Sequence, residues 1–238
     1  MILAATRWFP SAARCGTLLT VLAVSLTHAA AADPAAKPEA PAKKWQSLFD
    51  GKSLQNWESV EFGGEGEVTV EKGMIVLAQG SDMSGIHWTG EALPQTNYEL
   101  ELEAQRIDGG DFFCGIVFPV KKKLCSFVVG GWGGGVVGLS SLDGLYANEN
   151  ETTGYQGFKS KEWYRVRLLV RDDYIAGWIN DEQAFGVDVS KKQVSVHPAV
   201  ELAKPLGLCS FATVAGYRNV KIRKLTAEEI AAPGKIVP

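Results

Sequence analysis

Apolar and polar residues alternate one for one over long stretches of this chain, the period of a strand with one dry and one wet face. Tyr98 to Gln105 is the clearest case: Tyr98, Leu100, Leu102 and Ala104 share one face, and Glu99, Glu101, Glu103 and Gln105 the other. Trp163 to Arg171 repeats the pattern, with Val166, Leu168 and Val170 opposed to Arg165, Arg167 and Arg171. Shorter runs read as strands at Val68–Val70, Met74–Leu77, Phe112–Phe118, Leu124–Val129, Tyr174–Ile179, Phe185–Val189, Leu206–Phe211 and Val220–Leu225. Turn residues punctuate them: Glu71-Lys72-Gly73, Asp108-Gly109-Gly110, Asp172-Asp173 and Asn180-Asp181. Helical periodicity is nearly absent, apart from a short helix expected over Thr226–Ile230 with Thr226 as N-cap and Glu229 three residues on. Many short strands, regular turns and 26 glycines predict an all-β sandwich or barrel, and the lack of strand–helix alternation excludes an α/β design.

The first 32 residues read as an export signal: Arg7 and Arg14, an apolar run from Gly16 to Leu26, then small residues at Ala29–Ala32. The run is too short to span a bilayer. Asp33–Lys44, rich in Ala, Pro and Lys, reads as a flexible tether, and 45–225 as one β domain followed by a tail over 226–238. A secreted or periplasmic protein is therefore expected. Without Arg7 and Arg14 the chain has 22 basic against 27 acidic side chains, a net charge of −5. Lys121-Lys122-Lys123 sits where a hairpin loop is expected and reads as a solvated turn, so nucleic acid is not an expected partner.

Export permits disulfides. Cys114 and Cys125 fall on two strands expected to pair and are the candidates for one; buried free thiols are the alternative. No C-x-x-C, G-x-S-x-G, P-loop or dinucleotide fingerprint is present, and neither is the E-x-D-x-x-E of laminarinase-type glucanases. The irregular part is residues 130–160. There Gly130-Gly131-Trp132-Gly133-Gly134-Gly135 surrounds an indole with glycine, and Asn148–Thr153 is wholly polar. A long irregular segment in a small domain is often functional.

Four segments in order carry a family resemblance: Leu48–Trp57 (L-F-D-G-K-S-L-Q-N-W), Glu71–Val76, Trp163–Asp181 ending in L-V-R-D-D-Y-I-A-G-W-I-N-D, and Gly207-Leu208 followed by Tyr217–Ile222. Together they resemble the 3-keto-disaccharide hydrolase family over roughly Trp45 to Leu225. The resemblance implies a two-sheet antiparallel β-sandwich, a jelly roll of the concanavalin-A-like type. It also implies cleavage of glycosides whose C3 is oxidised to a ketone, by abstraction of the acidified C2 proton, β-elimination and hydration. The chain departs from the family where Pro119 replaces an arginine, Ser126–Val129 an E-x-Q, Cys209–Ala212 a Q-D-H-G and Gly177 a histidine.

Such chemistry needs a base and an oxyanion stabiliser. Glu101 and Glu103, two residues apart on one strand face and so roughly 6–7 Å apart, are the first candidates for the base; the other reading is a solvated face. His87 is a further candidate, or a structural histidine. Trp132 is the leading sugar platform, because an exposed indole stacks on the C–H face of a pyranose; a core plug is the alternative. Arg165 and Arg167 are expected to bind sugar hydroxyls or to form an ion-pair ladder with the glutamates. Trp178 is expected in the cleft or the core. Asn148, Glu149 and Asn150, with Asp143 and Glu151, put several oxygens in one loop, a candidate sugar contact or divalent cation (calcium) site. The expected partner is a carbohydrate, acted on by an enzyme or held by a non-catalytic binding module.

Overall fold

The computed structural model describes residues 44–237, and among these the chain forms fifteen strands and two short helices. The strands are β1 (Gln46–Ser47), β2 (Trp57–Ser59), β3 (Val68–Glu71), β4 (Met74–Leu77), β5 (Met83–Trp88), β6 (Tyr98–Gly109), β7 (Cys114–Val120), β8 (Lys123–Gly131), β9 (Val136–Ser140), β10 (Gly154–Tyr155), β11 (Tyr164–Val170), β12 (Tyr174–Ile179), β13 (Glu182–Asp188), β14 (Gly207–Phe211) and β15 (Thr213–Lys224). A 3₁₀ helix covers Pro198–Ala203 and α1 covers Ala227–Ala231. The expected leader, and the tether before Lys44, lie outside the described residues.

An eight-stranded sheet runs β13-β12-β11-β6-β15-β4-β3, with β1 added against β15; a seven-stranded sheet runs β10-β9-β8-β7-β14-β5-β2. Every named pairing is antiparallel, and the two sheets form a β-sandwich jelly roll. The alternation read along β6 holds: Tyr98, Leu100, Leu102 and Ala104 are wholly buried in the common core. Burying a leucine of this kind contributes about 1.5–3 kcal/mol. Two tyrosines staple one sheet to the other. The Tyr98 hydroxyl of β6 donates to the Pro119 carbonyl of β7 at 2.8 Å, and the Tyr217 hydroxyl of β15 lies 2.8 Å from both the Phe113 and Cys209 carbonyls. A buried phenol needs such partners, because an unmet hydroxyl costs about 1–3 kcal/mol.

The opening motif is structural. The Asp50 carboxylate accepts the Lys52 and Ser53 N–H groups at 2.8 Å, closing the turn after the buried Leu48-Phe49 pair. The Trp57 indole then returns its N–H to the Leu48 carbonyl at 2.8 Å and meets Trp88 edge-on in the core. The Glu71-Lys72-Gly73 hairpin forms as expected. Lys72 and Gly73 both have positive φ, the backbone that matches the twist of paired strands. α1 has the capping box expected of Thr226 and Glu229.

Two expectations are corrected. β15 begins at Thr213, seven residues before the run read from sequence, with register shifts after Val214 and Arg218 that break the simple alternation. Cys114 and Cys125 form no disulfide; with Cys209 they are free, buried thiols. Both lie on adjacent strands, but the register sets Cys114 opposite Val129 and Cys125 opposite Phe118. Burial pushes the Cys125 thiol up to about 12 and those of Cys114 and Cys209 higher still.

Candidate functional site

The polar row of β6 and β11 faces outward from the eight-stranded sheet and is closed upon itself. Glu103 accepts from Arg218 at 2.8 Å and from Asn219; Glu101 pairs with Lys221 at 2.8 Å. The Arg218 partnership holds the Glu103 carboxyl below its ordinary value. Arg167 reaches Glu99 at 3.1 Å and lies 4.0 Å from the Trp178 ring centroid, while Arg165 turns away to Asp181. Trp178 therefore lies half-buried beneath a guanidinium, in neither core nor cleft. Glu99, almost fully buried, also binds Arg223, which is held on its other side by Glu229 at 2.7 Å. Trp45 and Trp163 lie beside Lys221 and Arg218 in the same way. Of the alternatives read for these residues, the cleft is not the one formed: Glu101, Glu103, Arg165 and Arg167 take part in ion pairs on the sheet opposite Trp132, and Trp178 lies against Arg167 there.

The hollow lies on the outer face of the seven-stranded sheet. Along β7 and β8, Cys114, Ile116, Phe118, Cys125, Phe127 and Val129 enter the common core, so Gly115, Val117, Ser126 and Val128 face the other way. Part of this outer face is covered by the 3₁₀ helix, whose Val200 and Ala203 pack with Val60, Met83, Val117 and Cys209. Beside that cover a cavity of about 570 Å³ opens, a size suited to a small ligand. Gly115, Ser126, Val128 and Ser140 form its floor; Phe62, Phe112, Phe211 and Trp132 its aromatic walls; Asp82, Asp111 and His197 its titratable groups. Phe112 and Phe211 stack with centroids 6.1 Å apart.

Trp132 is 44% exposed, at a positive φ of 48° that only a tightly held turn imposes on tryptophan. Two groups hold it. The Asp111 carboxylate accepts the Phe112 N–H at 2.7 Å and the Gly133 N–H at 2.8 Å. The buried Arg106 guanidinium donates to the carbonyls of Asp111, Gly130, Gly134 and Phe158. Glycine is required here for two reasons. Gly130 and Gly134 have φ of +79° and +105°, and a Cβ on Gly130 would lie 2.9 Å from the Arg106 guanidinium. The glycine cradle thus lets a buried cation reach the loop's own carbonyls and hold the indole at the cavity.

His197 lines the cavity as N-cap of the 3₁₀ helix. Its Nδ1 accepts the Ala199 N–H at 3.1 Å, which leaves the proton on Nε2, and its ring lies 4.3 Å from that of Tyr146. Burial lowers its pKa, favouring the neutral ring.

The other expected residues do not line the cavity. His87 stands on β5 with Nε2 3.8 Å from Glu58 and Nδ1 buried without a hydrogen bond. Asn150 is buried and holds its own loop, donating to the Leu139, Leu145 and Tyr146 carbonyls. Glu149 accepts the Tyr146 N–H, and the Asn148 side-chain oxygen is buried without a partner. Asp143 and Glu151, two of the candidate cation or sugar ligands, converge instead on the Lys192 ammonium at 3.2 and 2.9 Å. No group of three His, Cys, Asp or Glu side chains that could hold a metal occurs among the described residues.

Asp82, Arg106, Asp111, Phe112, Ser140, Phe211 and His197 are among the site residues that sequence reasoning missed. Asp111 carried the one usable signal, an acidic residue beside two glycines and two phenylalanines. Two of the four departures from the family line the cavity, Ser126 and Val128 from the stretch in place of E-x-Q and Phe211 from that in place of Q-D-H-G, whereas Pro119 does not. Gly177 does not; a side chain there would meet Phe127 and Phe185 in the core.

Two facing antiparallel sheets with an aromatic hollow on one outer face define a jelly-roll β-sandwich. The chain belongs to the 3-keto-alpha-glucoside-1,2-lyase-like family, which it matches over residues 44–223. This is the family the four sequence segments resemble. The fold is similar to that of the Crh5 transglycosylase solved in complex with NAG, at 12% identity, 76% of this chain, 84% of that one and a TM-score of 0.53. Weaker likenesses are to a glycosyl hydrolase family protein from Mycobacterium fortuitum (11% identity, 75% and 98% of the two chains, TM-score 0.46) and to the carbohydrate binding module CBM66 from Bacillus subtilis (12%, 71% and 96%, TM-score 0.48). No curated protein matches the chain. Among the described residues no helix is long and apolar enough to cross a membrane.

Proposed function

We propose that the cavity on the seven-stranded sheet binds a pyranoside and cleaves it, when its C3 is a ketone, by elimination across C1 and C2. The observation that carries this is Trp132, exposed and pre-set by Asp111 and Arg106 beside the Phe112–Phe211 stack. A pyranose offers C–H faces to such walls and hydroxyls to the few polar groups between them. Asp111 has both carboxylate oxygens engaged by backbone N–H groups and acts as a positioning residue. Asp82, the other carboxylate lining the cavity, is the base that takes the C2 proton. The electron pair of that C–H bond forms the C1–C2 double bond, conjugated with the ketone. The C1–oxygen bond breaks, and the leaving sugar or alcohol takes a proton from water at the open mouth. The Nε2–H of neutral His197 is the donor that meets charge developing on the ketone oxygen. The hydroxide left by that water adds to C1, Asp82 returns its proton to C2, and the net result is hydrolysis with the base regenerated. The leader expected over residues 1–32 would deliver this activity outside the cytoplasm.

A second reading, a non-catalytic sugar-binding module, is favoured by the replacement of the family's polar E-x-Q and Q-D-H-G by Ser126, Val128 and Phe211 on the cavity wall. Turnover decides. Release of the aglycone from a 3-keto-α-glucoside should fall at least ~100-fold in Asp82→Asn, the range of general-base catalysis. Trp132→Ala should weaken binding of the unoxidised glucoside with an unchanged melting temperature. Binding without turnover selects the second reading, and absence of both overturns the proposal.

A further inference from the structure

The cavity floor contains a polar group that nothing among the described residues satisfies. Ser140 is wholly buried, its hydroxyl has no hydrogen-bond partner, and it lines the cavity at the end of β9. Its neighbour across the ladder is Ser126, which faces the same way and donates its proton to the Ser140 carbonyl. A hydroxyl has one proton and two lone pairs. Ser126 has therefore used its proton and can only accept, while Ser140 can both donate and accept. The group that fits between them is another hydroxyl, which gives its proton to Ser126 and receives one from Ser140. A carboxylate or phosphate would set an oxygen lone pair against Ser126, and an ammonium would leave the Ser140 proton unmet. Charge around the site agrees: among the described residues no lysine or arginine lines the cavity, and its acidic side chains are Asp82 and Asp111.

Resting on the saccharide reading above, we infer that Ser126 and Ser140 form a subsite for one uncharged hydroxyl of the ligand, inserted first, and that this floor selects neutral glycosides over anionic sugars. Val117 faces Ser126 across the ladder, and Gly115 lies opposite Val128 on the same floor, where a Cβ would lie 2.9 Å from the Phe112 ring. The unmet Ser140 hydroxyl is then stability given up for recognition, since a buried unsatisfied donor destabilises the empty protein.

The test is a calorimetric titration of the full chain with methyl α-D-glucopyranoside, which is unreactive because its C3 is not oxidised. Its 2-, 3-, 4- and 6-deoxy analogues and methyl α-D-glucuronide are titrated in parallel. One deoxy analogue should bind wild type about tenfold more weakly than the parent sugar, the size of one lost hydrogen bond. Ser140→Ala should bind the parent sugar about tenfold more weakly and should no longer distinguish that analogue, because the two deletions remove the same contact. The glucuronide should bind wild type at least tenfold more weakly than the glucoside. The melting temperature of Ser140→Ala should be equal to or above wild type. Equal binding of all deoxy analogues overturns the subsite, as does a Ser140→Ala variant that melts several degrees lower while binding normally, which would mark a fixed water there instead. Should Trp132→Ala lose the sugar while Ser140→Ala keeps it, the saccharide reading stands and the floor subsite falls. If wild type binds none of these glycosides, the saccharide reading itself fails.

Discussion

Glu99→Ala separates structural from functional polar residues. The Glu99 side chain is 3% exposed and accepts from Arg167 at 3.1 Å and from Arg223, itself 2% exposed. Removing the carboxylate leaves a buried guanidinium without its central partner, a change that costs about 3–5 kcal/mol. Two features put this case at the lower end. Arg223 keeps Glu229 at 2.7 Å, and Arg167 keeps the face of Trp178. A loss of about 3 kcal/mol lowers the melting temperature of a domain this size by roughly 6–12 °C. Glu101→Ala is the contrast: its partner Lys221 is a third exposed, and such a pair contributes about 0–1 kcal/mol, so the shift should stay within roughly 4 °C. Thermal unfolding followed by circular dichroism measures both, and titration with glucoside should give wild-type affinity in both, because the row lies on the sheet opposite the cavity. A Glu99→Ala protein melting within 2 °C of wild type would refute the account of the buried network. One that melts normally but no longer binds sugar would return this face to the site.

Glu103→Gln should leave turnover of a 3-keto-glucoside within about twofold of wild type, since Glu103 is engaged by Arg218 and Asn219 away from the cavity; a 100-fold loss in a steady-state assay would reinstate it as the base. Burial holds the His197 imidazole below its ordinary 6.5, so the unfolded chain takes up its proton first as pH falls. Stability from this residue is complete above pH 6.5 and is lost as pH drops through the lower folded value. A melting series from pH 8 to 5 should therefore fall more steeply for wild type than for His197→Asn, which caps the 3₁₀ helix without titrating there, and parallel curves would count against this burial. The thiols of Cys114, Cys125 and Cys209 should resist a thiol reagent in the native protein and react in denaturant without any reductant; a loss of two in the denatured count would signal a disulfide.

Alternation along β6 and β11 was legible because it is local. Side chains two apart share a strand face whatever the rest of the chain does, so the apolar row of Leu100 and Leu102 and the charged row of Glu99, Glu101 and Glu103 follow from local residue order alone. The same clarity misled about function. A strand with one wet face draws attention to that face, yet its charges satisfy one another through Arg218, Lys221 and Arg223, which arrive from β15 more than a hundred residues away. The working face was hidden for the opposite reason. β7 is buried along its whole length, because the core covers one side and the 3₁₀ helix, Phe62 and Phe112 cover much of the other, so no polar alternation marks the hollow. The exposed indole of Trp132 was legible from its flanking glycines; the Arg106 and Asp111 contacts that hold it were not.

The chain's own order of residues thus determined an all-β sandwich, its principal strands, its hairpin turns and the aromatic residue most exposed beside the cavity. Tertiary structure decided which outer face carries that cavity, that Asp82, Asp111 and His197 meet there from three separate segments, and that two adjacent serines lie beneath them. Strand identity rests on contacts within a few residues, whereas a hollow is a relation among segments far apart in the chain, fixed only once both sheets and the segment covering one of them have packed.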